Sequence, residues 1–160
     1  MINDKCVFAG SFDPVTKGHI DVIGKCAMMF KTVYVVLAVN AEKKYAFNKE
    51  TRLKMLELSL EKYEGVKVFA YDGLIVDFMK EHGVFYYARG IRGERDIEYE
   101  DRAFEFNSKT YPDLKTVYIP CGKEFRSVSS TLVREKLKKG EDVKKYLPYE
   151  ILPLIKDVIM

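Results

Sequence analysis

The segment Gly10-Ser11-Phe12-Asp13-Pro14-Val15-Thr16-Lys17-Gly18-His19 combines a glycine-containing turn, two hydroxyls and an imidazole directly ahead of a helical pattern. A turn feeding a helix N-terminus presents unbonded backbone N–H groups and the positive end of the helix dipole, which together suit phosphate. Ser11 adds a hydroxyl donor, Gly18 lets a ligand approach the backbone, and His19 offers an imidazole N–H to a phosphoryl oxygen. A capped βα turn with an incidental histidine is the plainer reading of this segment taken alone. A P-loop is excluded. Five residues rather than four separate Gly18 from Gly24, Cys26 replaces the metal-binding hydroxyl, and the segment falls inside an amphipathic helix. GxGxxG is absent as well, which leaves a dinucleotide fingerprint weakly supported.

Lys43 and Lys44 follow a β-branched run, where a lysine pair is ordinarily solvated surface. Arg89-Gly90-Ile91-Arg92-Gly93 sets two guanidinium forks among permissive glycines after another such run, a pattern suited to bidentate phosphate binding. Asp96, Glu98, Glu100 and Asp101 open the next helical stretch, Glu94 to Thr110. There they complement the helix dipole, with one of them left as a candidate ligand contact. Ser129-Ser130-Thr131 caps a further helix and aims more N–H groups at a ligand, although capping alone accounts for these hydroxyls equally well. His82, beside Gly83 at a helix C-terminus, reads as structural. The basic run Lys136, Lys138, Lys139, Lys144 and Lys145 reads as a solvated face, and Cys6 and Cys121 as small core residues.

These side chains need a scaffold that brings them together. β-branched and aromatic runs at 5–9, 33–39, 66–70, 84–88 and 115–119 each predict a strand. Ile20, Ile23, Ala27 and Phe30, then Leu53, Leu56 and Leu60, then Ile75, Phe78 and Met79 recur at helical spacing. Asn48 reads as an N-cap with Glu50 complementing its dipole, and Lys139-Gly140 closes the helix opened by Ser129. Apolar strands alternating with helices predict a five-stranded parallel sheet covered on both faces, a doubly wound, Rossmann-like α/β fold. Ligands of such sheets bind outside the carboxyl ends of the strands. The segments 10–18, 40–48, 71–74, 89–93 and 120–128 stand there, so Lys43 is expected to face the same crevice as His19. The apolar segment 149–160 predicts a last helix docked on the body or a contact between subunits.

A length of 160 residues predicts one domain, 1–160. With 48% hydrophobic and 32% charged residues the composition is that of a soluble globular protein, and no apolar run approaches the roughly 20 residues that span a bilayer. A net charge of +3 is too mild for a nucleic-acid surface, so anion binding has to be local. Three widely spaced cysteines fit a reducing compartment, two histidines argue against a protein-built zinc site, and Met-Ile-Asn-Asp-Lys lacks a secretory pattern. Together these predict a cytoplasmic protein with neither membrane nor nucleic acid as partner.

Taken in order along one chain, Gly-Ser-Phe-Asp-Pro-x-Thr-x-Gly-His at 10–19, Lys43, Arg-Gly-x-Arg at 89–92, Asp-x-Glu-Tyr-Glu at 96–100 and Ser-Val-Ser-Ser-Thr at 127–131 resemble the nucleotidyltransferase superfamily. More narrowly, they resemble the phosphopantetheine adenylyltransferase family of bacterial coenzyme A biosynthesis, and the likeness covers nearly the whole chain. It implies adenylyl transfer from ATP to 4′-phosphopantetheine, giving dephospho-coenzyme A and pyrophosphate, with Mg²⁺ as cofactor and a homohexamer as assembly. It implies catalytic roles for Ser11, His19, Lys43 and Arg92. ATP contacts would come from Ser11, Phe12, His19, Gly90, Ile91, Arg92 and Glu100, and from Phe125-Arg126-Ser127-Val128-Ser129-Ser130-Thr131 around the adenine. Ser11, Lys43, Ile75 and Arg89 would hold phosphopantetheine, and no residue is assigned as a direct metal ligand. Ala9, Ser11 and Ile97 depart from the commoner Pro, Thr and Phe without removing a donor.

The residue types agree with that chemistry. A phosphate monoester, with a second pKa of about 6, is already ionised and needs no general base. Positioning and charge stabilisation remain for the protein to supply. Two alternatives stay open. One is a nucleotidyltransferase for nicotinamide mononucleotide or a polyol phosphate, whose relatives show HxGH where this chain has Thr16-Lys17-Gly18-His19. The other is a non-catalytic nucleotide-sensing module.

Overall fold

Alternation along one strand decides the layering. In β1 (Lys5–Gly10) Cys6 and Phe8 join one core and Val7 and Ala9 another, all four buried, so this strand is covered on both faces. The structure, a computed structural model, describes residues 4–159, apart from the side chains of residues 95, 101 and 157–159. The leading Met1-Ile2-Asn3, the Asp101 side chain and the end of the C-terminal apolar segment therefore lie outside the described residues.

With β1, the strands β2 (Thr32–Val39), β3 (Val66–Asp72), β4 (Tyr86–Ile91) and β5 (Lys115–Pro120) form one parallel sheet in the order β3-β2-β1-β4-β5. The helices are α1 (Lys17–Met29), α2 (Lys49–Leu60), α3 (Ile75–His82), α4 (Glu94–Thr110), α5 (Ser130–Lys138) and α6 (Leu152–Ile159). Cys6, Phe8, Val33, Val35 and Leu37 pack beneath α1, α2, α5 and α6, through Ile23, Met55, Leu56, Val133 and Ile155 among others. On the opposite face Val7, Ala9, Tyr34, Val36 and Tyr87 meet Val76, Phe78 and Met79 of α3. This is the expected doubly wound α/β arrangement, and the chain direction changes sides at β1 and β4, where a crevice opens.

The caps follow the expected residues. Asn48 Oδ1 accepts the Thr51 amide at 2.8 Å ahead of α2, and Gly140, at φ 71°, closes the turn after α5. The C-terminal segment takes the first of its two expected forms, with Ile151 and Ile155 buried in the α1–α2 side of the core. Among the described residues no helix is long and apolar enough to cross a membrane.

One expected strand is displaced. β4 begins at Tyr86 rather than at 84, because Gly83 and Val84 are spent on ending α3: Gly83 adopts φ 63° and the Val84 amide returns to the Met79 carbonyl at 2.9 Å. The strand then runs through Arg89, Gly90 and Ile91, which pair with Tyr118, Ile119 and Pro120. Arg89-Gly90-Ile91 is therefore strand, not loop. A Cβ on Gly90 would lie 3.1 Å from Val22 Cγ2, so this glycine lets α1 lie close on the sheet.

Candidate active site

The first loop and α1 build the site around His19. Thr16 caps α1, its Oγ1 accepting the His19 amide at 3.4 Å, while His19 Nδ1 accepts the Thr16 amide at 3.0 Å. This reciprocal box holds the imidazole at the helix end. Since Nδ1 is an acceptor there, the neutral ring carries its proton on Nε2. Burial foremost, then the positive charges of Arg92 and Arg89, lower the His19 pKa to about 4. The ring is thus neutral near pH 7 and offers a hydrogen bond rather than an acidic proton. Phe12, buried and left-handed at φ 46°, stands edge-on to it with ring centroids 5.0 Å apart. A left-handed phenylalanine stores backbone strain of a kind that gathers at functional sites.

His19 lines a cavity of about 320 Å³ together with Gly18, Arg89, Gly90, Arg92, Glu100, Phe125, Val128, Ser129, Ser130 and Thr131. Ser11, Phe12, Ile91, Arg126 and Ser127 are not among the residues lining it. Asp96 and Tyr99, not assigned from the sequence, are. Asp96 Oδ2 accepts the Arg92 amide at 2.8 Å and Arg92 Nε at 3.3 Å, which turns a dipole-complementing carboxylate into a holder of Arg92. Ser129 Oγ accepts the Leu132 amide at 3.0 Å and Ser130 Oγ donates to the Pro14 carbonyl at 2.7 Å. Those hydroxyls cap α5 and tie it to the first loop, which leaves backbone N–H groups as what this helix end presents to a phosphate.

Arg89 does not stand ready as a bidentate phosphate fork. Its Nε and Nη2 each donate to Glu100 at 2.9 Å, and Nη1 donates to the Ala9 carbonyl at 3.1 Å and the Tyr87 hydroxyl at 3.0 Å. Four of its five N–H groups are engaged by these bonds. Arg89, Tyr99 and Glu100 also line a second pocket of about 280 Å³, with Leu74, Ile75, Phe104, Asn107 and Thr116. The Arg89–Glu100 pair is therefore the partition between two pockets.

Lys43 stands elsewhere. It lines a hollow of about 290 Å³ with Ser11, Asp13, Lys44, Tyr45, Arg134 and Lys138, its Nζ 3.5 Å from Ser11 Oγ. Lys43 and His19 thus line two different hollows, with Ser11 of the first loop beside Lys43. Asp13 anchors the 46–47 backbone, its carboxylate accepting the Ala46 and Phe47 amides at 2.9 Å each. Arg134 was not assigned from the sequence. Its guanidinium donates to the Asp13 carbonyl at 2.8 Å and to Thr131 Oγ1 at 3.2 Å, so it joins this hollow to the His19 cavity. Its place three residues after Thr131, one helical turn on, is the signal that sets it on the same face.

His82 is structural, its ring stacked on Phe78 at 4.0 Å and its Nδ1 2.9 Å from the Phe78 carbonyl. Cys6 and Cys121 are buried thiols, and Lys136 of the basic run pairs with Glu141 at 2.6 Å. Among the described residues no three His, Cys, Asp or Glu side chains gather as a metal site. The cavity's carboxylates, Asp96 and Glu100, are held by Arg92 and Arg89. This donor set fits a cation carried mainly by nucleotide phosphates and water, the habit of Mg²⁺.

Residues 7–136 match the model of the cytidylyltransferase-like family, so the chain belongs to that class of nucleotidyltransferases. It is 37% identical over 145 residues, 91% of this chain and 90% of the relative, to a phosphopantetheine adenylyltransferase of Thermotoga neapolitana. To that of Streptococcus agalactiae serotype Ia it is 38% identical over 149 residues, 92% of each. Within the class, the chain belongs to the phosphopantetheine adenylyltransferase family. Solved structures show the same fold. A bifunctional NMN adenylyltransferase/ADP ribose pyrophosphatase of Francisella tularensis, complexed with AMP and a manganese ion, superposes with a TM-score of 0.71 at 17% identity. That match covers 98% of this chain and about half, 49%, of the larger one. A putative nicotinate-nucleotide adenylyltransferase of Vibrio parahaemolyticus gives 0.67 at 16% identity, covering 97% and 90%.

Proposed function

We propose that this chain transfers the adenylyl group of ATP to 4′-phosphopantetheine, giving dephospho-coenzyme A and pyrophosphate in coenzyme A biosynthesis. The observation that carries the reading is the pair of pockets meeting at Arg89 and Glu100: one between helix N-termini around His19, and one walled by Leu74, Ile75, Val76, Phe104 and Phe106. The first suits a nucleotide's phosphates. The second suits the pantetheine chain.

In the reaction an oxygen of the acceptor phosphate attacks the α-phosphorus of ATP, and the bond from that phosphorus to the bridging oxygen breaks as pyrophosphate leaves. The acceptor is already ionised and requires no base. The neutral His19 donates Nε2–H to an α-phosphoryl oxygen as charge builds there, Arg92 adds its guanidinium, and the N-termini of α1 and α5 contribute fixed dipoles. Gly90, Phe125 and Val128 wall the nucleotide. Arg89 and Ile75 receive the acceptor, while Ser11, Lys43 and Arg134 draw the departing phosphates toward the cationic hollow. A divalent cation such as Mg²⁺ would be carried mainly by phosphates and water, since Asp96 and Glu100 are engaged by Arg92 and Arg89, and when bound would neutralise phosphate charge.

The chain acts as one domain in the cytoplasm, as a homohexamer. Exposed Ile97, Phe104 and Phe106 on α4 support self-association. Pyrophosphate release from Mg–ATP with 4′-phosphopantetheine, beside nicotinamide mononucleotide and glycerol 3-phosphate, tests the reaction. Release with phosphopantetheine alone is the expected result, and ATP binding without release from any acceptor would favour a sensor. Light scattering tests the assembly, and a monomeric mass refutes it.

A further inference from the structure

Arg52 is the largest side chain in the fully buried interior, 1% exposed, in the first turn of α2. Among the described residues no carboxylate forms an ion pair with it. A buried guanidinium is costly, and an apolar side chain of similar volume would serve packing as well or better. Its bonds show where it acts instead. Nη1 donates to the Ser11 carbonyl at 2.8 Å, Nε donates to the Phe47 carbonyl at 3.1 Å, and the guanidinium carbon lies 3.7 Å from the Tyr45 ring centre.

We propose that Arg52 is a positioning residue for adenylyl transfer, setting the spacing between the Ser11 loop and the Lys43 loop that together wall the cationic hollow. The assignment rests on the functional reading above. Asp13 closes the same ring from the first loop by accepting the Ala46 and Phe47 amides, so the two loops are stitched by one buried cation and one buried anion. The peptide whose carbonyl Arg52 holds is the one leading into left-handed Phe12, so the bond also steadies the strained turn ahead of His19. Two carbonyls and an aromatic face are a set that a planar, delocalised cation satisfies and an ammonium does not.

The test compares Arg52→Lys and Tyr45→Ala with wild type for ATP affinity by calorimetry, melting temperature, and kcat and KM with 4′-phosphopantetheine. Tyr45 is only half buried, and its replacement removes the face on which Arg52 stacks together with a ring contact to Lys43 Nζ at 5.6 Å, so that variant stays informative should the arginine variant fail to fold. The expected result is kcat reduced about tenfold or more in Arg52→Lys and several-fold in Tyr45→Ala, with ATP affinity within about twofold of wild type. Loosening of the whole fold would lower ATP affinity in step with kcat, and that outcome overturns the assignment. So does an unchanged kcat in either folded variant. A wild-type chain that releases no pyrophosphate with this acceptor overturns the functional reading and the assignment with it.

Discussion

Arg89 and Glu100 form a two-point ion pair, Nε and Nη2 each 2.9 Å from a carboxylate oxygen, where the His19 cavity and the Ile75 pocket meet. Glu100 is nearly buried while Arg89 keeps about a quarter of its surface exposed. The pair therefore has a dry side and a wet side, and in the proposed reaction the acceptor phosphate would approach Arg89 from the wet one. Arg89→Ala leaves the Glu100 carboxylate buried without its partner, at a cost of about 3 kcal/mol to folding. It also weakens phosphopantetheine binding, and calorimetry showing an unaltered affinity would count against its assigned role.

His19→Ala is expected to lower kcat about 10²- to 10³-fold while moving KM much less, since the lost Nε2–H bond matters most in the transition state. A steady-state comparison with both substrates varied decides it; unchanged kcat removes His19 from the chemistry.

The same residue carries a pH signature. Its folded pKa of about 4 lies below the ordinary histidine value, because burial and the two arginines disfavour the charged ring. Above the unfolded value the ring is neutral in both states and its contribution is constant. Between about 6.5 and 4 the unfolded chain binds the proton and the folded chain does not, so stability falls as pH falls through that window. NMR titration of the imidazole should give a midpoint near 4. A midpoint near 6.5 contradicts the neutral-donor role.

Gly90→Ala brings a methyl 3.1 Å from Val22 Cγ2 and pushes α1 off the sheet, costing about 1–2 kcal/mol. Val22→Ala in the same chain should recover part of that loss. A double-mutant cycle of chemical denaturation measures the coupling, and additivity of the two substitutions would show that this contact does not limit the approach of α1.

Removing divalent metal with a chelator is expected to abolish pyrophosphate release and leave the fold intact, because in the proposed reaction the ion would be carried by the phosphates, and among the described residues no three His, Cys, Asp or Glu side chains gather to hold one. A large drop in melting temperature on chelation would point to a structural metal instead.

Much of this protein was legible in the residue order. Five apolar runs separated by helical periodicity determine a parallel α/β sheet, and Asn48 and Ser129 mark helix starts because a short polar side chain there meets an amide three residues on. Gly-His after a turn, the two arginines flanking Gly90 and the hydroxyl run at 129–131 point to phosphate chemistry only when taken in order along the chain. Pairing across long separations was not legible. Arg89 looked like a loop arginine until pairing with β5 placed it in β4, and its fork looked available until α4 brought Glu100 against it. Lys43 and His19 both follow strand ends, yet Asp13 and Arg52 tie the Lys43 loop to the first loop, so that Lys43 lines a different hollow from His19. Local preference is written in neighbours along the chain. Which donor remains for a ligand depends on partners 11 to 41 residues away, such as Glu100 for Arg89 and Ser11 for Arg52, and only the folded structure brings those together.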